Sequence, residues 1–515
     1  MKQKHSPKAA GRMKRSGGWK AWLCAVLIVL MMLAAGAAAC WFLIREKEVA
    51  PYLPRESEAL IAASDGMDLI RVEASLDPDS RTLTVVQELQ VVNRTGQRQD
   101  AVMLRSWSGA YLAEETSPAA SDELYGACYP AGFNPGGLTL TRAYLDGGAT
   151  IWRWLDEAST VLAIPADWQA GQTAAVTLHY TVQIPLCESR FGYADGMFML
   201  GNVFPTPAVW QNGAWRTDAY CAVGDPFLAE CANWEVALTV PEGWTVGASV
   251  WAEPEKSGGA WTYRFAGRAM RDFALVVSDR LVSVQGMRDG VLVTAYARTE
   301  KNAELLLRYA RQALHTCGSR WGDYAWPAYT VTEAAFPLGG MAYPGMTMVS
   351  RDVISKGGTL LEYTIAHETA HQWWGAMVGS DGWYQPWQDE SLCEYAFADY
   401  ALNWYGPDER ERVAFERFET ALRITIPRGV TPGSPIDYFG DLTEYNQVVR
   451  QRGAAMWMAL ETHLGKDALD AMLRDYQAQY RFRIATREDL TEVISRHAGH
   501  DVSDLMLDYL DTYMN

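Results

Sequence analysis

The sequence is poor in cysteine, and no two of its cysteines are separated by only two residues. Six of the eight lie beyond residue 44, and their spacings fit no disulfide framework. Cys221 and Cys231, the nearest neighbours among the six, are the one candidate pair. The sequence also lacks internal repeats and low-complexity tracts. Its 515 residues, 49% of them hydrophobic, are typical of a globular protein with two or three domains.

Positive charge is scarce outside the N-terminus. The 62 Asp and Glu outnumber the 45 Lys and Arg, and the net charge is −17 at pH 7. Because residues 1–20 carry seven basic residues and no acidic one, the rest of the chain is more acidic still. Such a surface repels a phosphate backbone, which argues against nucleic acid as a partner.

A long stretch without charge, AWLCAVLIVLMMLAAGAAACWFLI, follows at residues 21–44. As a helix it would rise about 36 Å, enough to cross a hydrocarbon core of about 30 Å. We predict a single-pass anchor in the lipid bilayer, with 1–20 as a basic cytoplasmic tail and 45–65 as a linker. Because the positive charge precedes the span, the N-terminus is expected in the cytoplasm and the bulk of the chain outside the cell.

Two alternatives to a retained anchor are open. A signal peptide could be cleaved near Ala37-Ala38-Ala39, or Cys40 could carry a lipid. The apolar run continues from Trp41 to Ile44, which favours retention of the segment as an anchor.

The hydrophobic period changes near residue 300. Before it, stretches such as RTLTVVQELQVVNRTG and AAVTLHYTVQIP alternate with a period of two, which predicts an antiparallel β domain over 66–285. After it, a helix is predicted over 302–322, within a mostly helical domain predicted over 286–515. The further helices are predicted at 359–378, 391–405, 407–425, 447–464, 466–480, 487–498 and 501–513. The fold class is therefore α+β, with a cleft expected between the two domains.

The stretch HETAHQWWG places two histidines, His367 and His371, four residues apart. Residues with this spacing lie on one face of a helix, so both imidazoles can bind one metal ion, and Glu368 beside them can polarise a water. A lone helical histidine is more often packed or exposed than a ligand. Composition alone, however, produces H-E-x-x-H in only roughly one percent of such chains.

A zinc site needs a third ligand, usually a carboxylate where a water position stays open. The stretch WQDESLCEYAFADY supplies Glu390, nineteen positions after His371, near the start of the next predicted helix. Asp389 or Glu394, on either side of it, could accept the second N–H of a ligand histidine. The sequence therefore predicts one zinc ion held by His367, His371 and Glu390.

The stretches HETAHQWWG and DESLCEYA resemble the zinc-binding core of the aminopeptidase N and leukotriene A4 hydrolase-like gluzincin metallopeptidases. In that family, H-E-x-x-H is followed after eighteen residues by a glutamate in an (N/D)E(G/S)xxEY context. GGMAYPG, GDPFLAE and NVFPTP match other family motifs in part, and the likeness extends over about residues 66–515. It implies a saddle-shaped β domain packed on a thermolysin-like catalytic domain, without the large C-terminal helical domain that many members carry.

The resemblance also implies a chemistry. Zinc polarises a peptide carbonyl and activates a water, and Glu368 passes the proton of this water to the leaving amine. The strand edge at Gly339, Gly340 and Met341 aligns the substrate backbone, as an added strand would. The expected protein is a membrane-anchored zinc metallopeptidase that hydrolyses peptides, with its catalytic domain extracellular.

Two family residues are replaced. Ala342 stands where a glutamate binds the α-ammonium group of the substrate, so trimming from the N-terminus loses its main physical basis. Arg450 stands where a tyrosine stabilises the oxyanion, and Tyr445 lies five residues too early. Loss of one oxyanion donor costs roughly 10²–10³ in rate. Arg450 could replace the tyrosine as a fixed cation, or it could point elsewhere and pair with an acid.

Three functions are therefore in competition. The first is an active zinc metallopeptidase of altered specificity. The second is a catalytically weak or inactive homologue that keeps zinc as a structural clip and binds or senses peptides. The third is a membrane scaffold in which the metal is incidental. Turnover that is lost on chelation would indicate the first, and a Glu368→Gln variant with unchanged cellular function would indicate the second.

Overall fold

The computed structural model describes residues 54–117, 122–426 and 429–512. The predicted tail, the predicted anchor at 21–44 and residues 45–53 of the predicted linker lie outside the described residues. Within those residues, no helix combines the length and the apolar character needed to cross a bilayer.

The N-terminal part is built of strands, as the period of two predicts. The strands are β1 (Asp68–Asp77), β2 (Thr82–Val92), β3 (Gln99–Arg105), β4 (Gly137–Leu145), β5 (Gly148–Thr150), β6 (Arg153–Trp154), β7 (Val161–Trp168), β8 (Thr173–Gln183), β9 (Phe191–Ala194), β10 (Met197–Leu200), β11 (Thr206–Pro207), β12 (Trp210–Gln211), β13 (Ala214–Trp215), β14 (Ala232–Pro241), β15 (Thr245–Ala248), β16 (Pro254–Ser257), β17 (Ala260–Met270) and β18 (Leu275–Ser278).

These strands form one large sheet and three smaller ones. The large sheet has the order β16-β17-β14-β1-β2-β8-β4-β5, and buried and exposed residues alternate along β1 and β2. The pairs within it are antiparallel except β1 with β14, which run parallel with Val72 opposite Val236. The smaller sheets have the orders β15-β18-β10-β9, β11-β3-β7-β6 and β12-β13.

A five-stranded sheet opens the C-terminal part. Its strands are β19 (Val282–Arg288), β20 (Val291–Ala297), β21 (Ala328–Ala334), β22 (Gly340–Tyr343) and β23 (Met346–Ser350), in the order β19-β20-β21-β23-β22. The predicted domain boundary at 285/286 falls inside β19. Strand β22 pairs only with β23 among the described residues, so one of its edges is open.

Helices make up most of the remainder. They are α1 (Glu58–Ala63), α2 (Asp122–Cys128), α3 (Glu300–Trp321), α4 (Arg351–Lys356), α5 (Gly358–Ala370), α6 (Trp387–Tyr405), α7 (Pro407–Val413), α8 (Thr420–Leu422), α9 (Leu442–Tyr445), α10 (Gly453–Leu464), α11 (Lys466–Tyr480), α12 (Arg487–Ala498) and α13 (Ser503–Leu510). Ala414–Glu419 and Asn446–Arg452 are π-helical, and short 3₁₀ turns occupy Trp107–Tyr111, Glu114–Thr116 and Ile436–Tyr438.

Two sequence predictions are corrected here. The helix predicted at 359–378 ends at Ala370, because Gly375 adopts a φ of 113° and the chain turns back with a hydrogen bond from Ala376 N–H to the His371 carbonyl. The apolar residues after Ala370 pack as a turn rather than as further helix. The candidate pair Cys221 and Cys231 is wrong, since both cysteines are free.

Buried tryptophans surround the helix pair that carries the metal motif. Trp321, Trp373, Trp374 and Trp387 are all nearly inaccessible to solvent, and the rings of Trp321 and Trp374 lie 5.2 Å apart. Aromatic side chains bury much apolar area with few rotatable bonds, so this packing fixes α5 against α3 and α6. The motif therefore sits on a rigid support.

Candidate metal centre and active site

Helices α5 and α6 bring the three predicted metal ligands together. His367 lies in the last turn of α5, and His371 follows its end with helical backbone angles, φ −59° and ψ −16°. The four-residue spacing therefore keeps both rings on one face, with their centroids 5.0 Å apart. Glu390 lies in the first turn of α6, which packs against α5.

The ligand atoms converge within hydrogen-bonding range. Oε2 of Glu390 lies 3.1 Å from Nε2 of His367 and 3.4 Å from Nε2 of His371. One ligand atom from each residue lies within 4.8 Å of the other two, and His367 and Glu390 are almost fully buried. Two imidazoles and one carboxylate form a donor set that zinc prefers in catalytic sites. The residues present therefore fit a zinc ion.

Outer contacts orient the two histidines differently. Nδ1 of His371 lies 3.0 Å from the Trp374 carbonyl oxygen, so it donates to that oxygen and leaves Nε2 free to bind metal. Nδ1 of His367 lies 3.6 Å from Oε2 of Glu394, slightly beyond a hydrogen bond. The structure thus places Glu394 beside a ligand histidine. Asp389 instead accepts a 2.8 Å hydrogen bond from the Glu390 backbone N–H.

Glu394 is itself held by two further side chains. Arg417 Nε donates to its Oε1 at 2.6 Å, and the Tyr363 hydroxyl donates to its Oε2 at 2.8 Å. Burial raises the pKa of Glu394, but the Arg417 charge outweighs this effect and keeps the pKa below its usual range. Arg417 was not predicted, because nothing in the sequence links it to a residue 23 positions earlier.

Glu368 faces the cleft directly beneath β22. A Cβ atom added to Gly340 would lie 2.5 Å from Cγ of Glu368, so only glycine allows this approach of strand and side chain. Burial raises the pKa of Glu368 to about 7. A carboxylate with a pKa near neutrality can accept and release a proton at physiological pH.

The predicted substrate-binding strand lines the same cleft, except at its first residue. Gly340, Met341 and Ala342 contribute to the cleft wall, together with Glu368 and His371. Gly339 does not belong to this wall, and its carbonyl accepts a hydrogen bond from the Ser350 N–H.

Arg450 points into the site rather than away from it. Its Nη2 donates to Oε1 of Glu390 at 2.8 Å, and the residue also lines the cleft. Burial alone would raise the pKa of Glu390, but Arg450 and the two histidines hold it well below its usual range. Arg450 therefore pairs with an acid, and this acid is the carboxylate ligand itself.

Tyr445 also reaches the metal centre, although its place in the sequence suggested otherwise. Its hydroxyl lies 3.3 Å from Oε1 of Glu390. The turn from Asn446 to Arg452 is π-helical, and hydrogen bonds in such a helix connect residues five apart. Tyr445 and Arg450, which have this spacing, consequently converge on the same carboxylate.

Comparisons with known proteins agree with this geometry. The chain is 21% identical over 408 residues to aminopeptidase N from Lactobacillus delbrueckii subsp. lactis. It is 24% identical over 287 residues to human aminopeptidase B and 27% identical over 207 residues to leukotriene A-4 hydrolase from Xenopus laevis. Residues 310–509, which include all three ligands, match the model of the Peptidase family M1 domain. This part of the chain is thus similar to the domain of peptidase family M1.

The M1 resemblance seen in the sequence is thereby confirmed, and solved structures show the same fold. The M1 zinc metallopeptidase from Deinococcus radiodurans superposes with a TM-score of 0.61 at 16% identity, over 87% of this chain and 94% of that one. A mutant of the same enzyme gives 0.64 at 15% identity, over 88% and 96%. The described part is thus a mixed α+β M1 fold, with a sheet-rich N-terminal part and a helical C-terminal part.

The M1 relatives named above are longer than the segments they share with this chain. The match covers 73% of this chain but 46% of the Lactobacillus enzyme. For human aminopeptidase B the shares are 50% and 41%, and for the Xenopus hydrolase they are 38% and 32%. The chain therefore spans less than half the length of these relatives.

Proposed function

We propose that this M1 protein is a zinc-dependent peptidase that binds extended peptides in the cleft between β22 and α5. The observation that carries the proposal is the convergence of His367, His371 and Glu390, with Glu368 beside them. When bound, zinc would supply a Lewis acid that polarises a peptide carbonyl and lowers the pKa of a water.

Residues of the chain transfer the proton, align the substrate and donate hydrogen bonds. Glu368 takes up a proton from water and delivers it to the leaving amine, which its pKa of about 7 permits in both directions. The open edge of β22 pairs with the substrate backbone and holds it along the cleft. Arg450 offers N–H donors toward the cleft but, as a guanidinium, transfers no proton.

We further propose that residues 21–44 anchor the protein in a membrane, with the N-terminus in the cytoplasm and the catalytic part outside the cell. The basic residues before this stretch and its lack of charge support the proposal. In this arrangement a saddle-like β domain and a thermolysin-like domain face peptides in the extracytoplasmic space.

A second function, a peptide-binding or sensing protein with little turnover, is favoured by one specific observation. Arg450 occupies Oε1 of the carboxylate ligand, and its positive charge opposes a metal ion on the same group. This contact, together with Ala342 in place of an acid, weakens the binding of a substrate and of its transition state.

A turnover assay on the full chain separates the two functions. Zinc-loaded protein, incubated with a library of free, N-terminally blocked and internal-bond peptides, should cleave some members and stop when zinc is chelated. Glu368→Gln should bind zinc normally and lose about 10²–10⁴ in rate. The control Glu304→Gln, at an exposed position, should bind zinc normally and keep its rate. Absence of cleavage in the whole library would reject the peptidase and leave the binding protein.

A further inference from the structure

One of the carboxylates in the cleft has no cationic partner. Four acidic residues line it. Glu368 and Asp389 belong to the metal centre, and Asp225 forms an ion pair with Arg190, with 2.5 Å between Oδ1 and Nη1. Asp272 is only 8% exposed, and no arginine or lysine of the described chain pairs with it. A buried carboxylate without a counter-charge is costly, so Asp272 calls for an explanation.

The contacts of Asp272 leave its charge uncompensated. Oδ1 accepts from the Phe273 backbone N–H at 2.8 Å, and Oδ2 accepts from Nδ2 of Asn202 at 2.7 Å. The adjacent Arg271 does not help, because its guanidinium is bonded to the backbone carbonyls of Ala229, Ala376 and Arg483. Burial raises the pKa of Asp272 to about 7, and a cation placed beside it would favour the ionised form.

Two unpartnered acceptors lie in the same part of the cleft. Within the described residues, Oδ1 of Asn202 and the hydroxyl of Tyr343 are buried without a hydrogen-bond partner. Asn202 is 8% and Tyr343 3% exposed, and both line the cleft with Asp272. The Tyr343 hydroxyl lies directly against Gly201, the residue before Asn202. Buried polar groups without partners are rare and point to a missing ligand or water.

These three groups match the donors of an ammonium ion. Such an ion carries three N–H donors and one positive charge, and the cleft offers a carboxylate, an amide oxygen and a hydroxyl. A water would satisfy the two neutral acceptors but would leave Asp272 without a counter-charge. We propose that Asp272, Asn202 and Tyr343 form a subsite for a primary ammonium group of a bound peptide, either its N-terminal α-ammonium or a lysine side chain.

The position of the subsite suits a peptide held along β22. Tyr343 is the last residue of that strand and directly follows Ala342, which has no charge to offer an amine. Asp272 and Asn202 come from the β domain, so this domain supplies the acid that the strand lacks. The inference rests on the proposed function in that the cleft binds peptides, but it does not require that they be cleaved.

Equilibrium binding to the zinc-loaded, full-length Glu368→Gln protein tests the subsite without turnover. The probes are Leu-Ala-Ala with a free or an acetylated N-terminus, and acetylated Lys-Ala-Ala against acetylated norleucyl-Ala-Ala. In one of the two pairs, the peptide with the ammonium should bind at least about tenfold more tightly. The first pair reports on the α-ammonium, and the second on a lysine side chain.

Substitutions assign the preference to the subsite. Adding Asp272→Asn should abolish it, Tyr343→Phe should reduce it, and Asp279→Asn, an exposed change in the same domain, should leave it intact. Tyr343→Phe removes a single hydroxyl and carries the test if Asp272→Asn fails to fold. Equal binding within both pairs, or a preference that survives both substitutions, overturns the proposal.

The outcome is independent of whether the protein is a peptidase. A preference that depends on Asp272, in a protein whose unsubstituted form cleaves no peptide, rejects hydrolysis and supports the subsite. Cleavage of free and blocked peptides at equal rates, with equal binding in both pairs, supports hydrolysis and rejects the subsite.

Discussion

Replacing Arg450 by methionine tests whether this arginine is the counter-charge of the carboxylate ligand. The Nη2–Oε1 distance to Glu390 is 2.8 Å, and the two side chains are 23% and 4% exposed. Breaking a buried pair costs about 3–5 kcal/mol, which we discount to about 2–3 kcal/mol because Arg450 is partly solvated. The unfolding free energy of the metal-free protein should fall by this amount.

Zinc should restore the stability that the substitution Arg450→Met removes. A bound cation neutralises Glu390, so the zinc-loaded forms of the native and substituted proteins should differ much less in stability. Linkage then requires the apparent zinc affinity to rise by the same free energy, about 30–150-fold at 25 °C. Competition with a chelator of known affinity measures this ratio, and denaturant unfolding of the metal-free proteins measures the loss.

A matched arginine-to-methionine substitution at the surface shows whether the effect depends on the position of Arg450. Arg423 forms a 3.6 Å pair with Glu419, and both side chains are more than half exposed. Arg423→Met should therefore change neither zinc affinity nor stability by a measurable amount. If Arg450→Met leaves zinc affinity unchanged or lowers it, Arg450 does not balance Glu390, and the reasoning is refuted.

Three other perturbations probe the site and its surroundings. Glu390→Gln should lower zinc content well below that of the native protein after dialysis, measured by atomic absorption, because an amide is a poor zinc ligand; full retention would contradict the assignment. Gly340→Ala should lower kcat by about 10²-fold at unchanged zinc content, since its Cβ displaces Glu368, and unchanged turnover would count against Glu368 as the base. The folded pKa of Asp272 is about 7 against an ordinary 3.8, so the folded state binds this proton more tightly. The unfolding free energy should therefore fall by up to roughly 4 kcal/mol as pH rises from about 4 to about 8, and Asp272→Asn should remove this loss in denaturant titrations.

The metal ligands could be predicted because their geometry is local. Four-residue spacing places His367 and His371 on one face wherever a helix forms. The connection to the next helix is short enough to return Glu390 to the two histidines. The strand and helix periods likewise gave the α+β order. These features depend on residues close together in the chain, and their spacing can be seen directly in the sequence.

The contacts that decide charge balance could not be predicted, because they join distant segments. Asn202 reaches Asp272 across 70 positions, and Arg450 reaches Glu390 across 60. The parallel pairing of β1 with β14 is equally invisible, since a period of two is the same for both strand directions. Tyr445 approaches Glu390 because of a π-helical turn, which cannot be predicted from composition.

The open edge of β22 can distinguish binding partners by their backbone conformation, independently of their side chains. A partner can use those backbone groups only if it presents an extended backbone of its own. The four residues of β22 give room for a short register at most. Under the proposed function, flexible termini, unstructured linkers and small fragments would meet this requirement, because their backbones are free to extend.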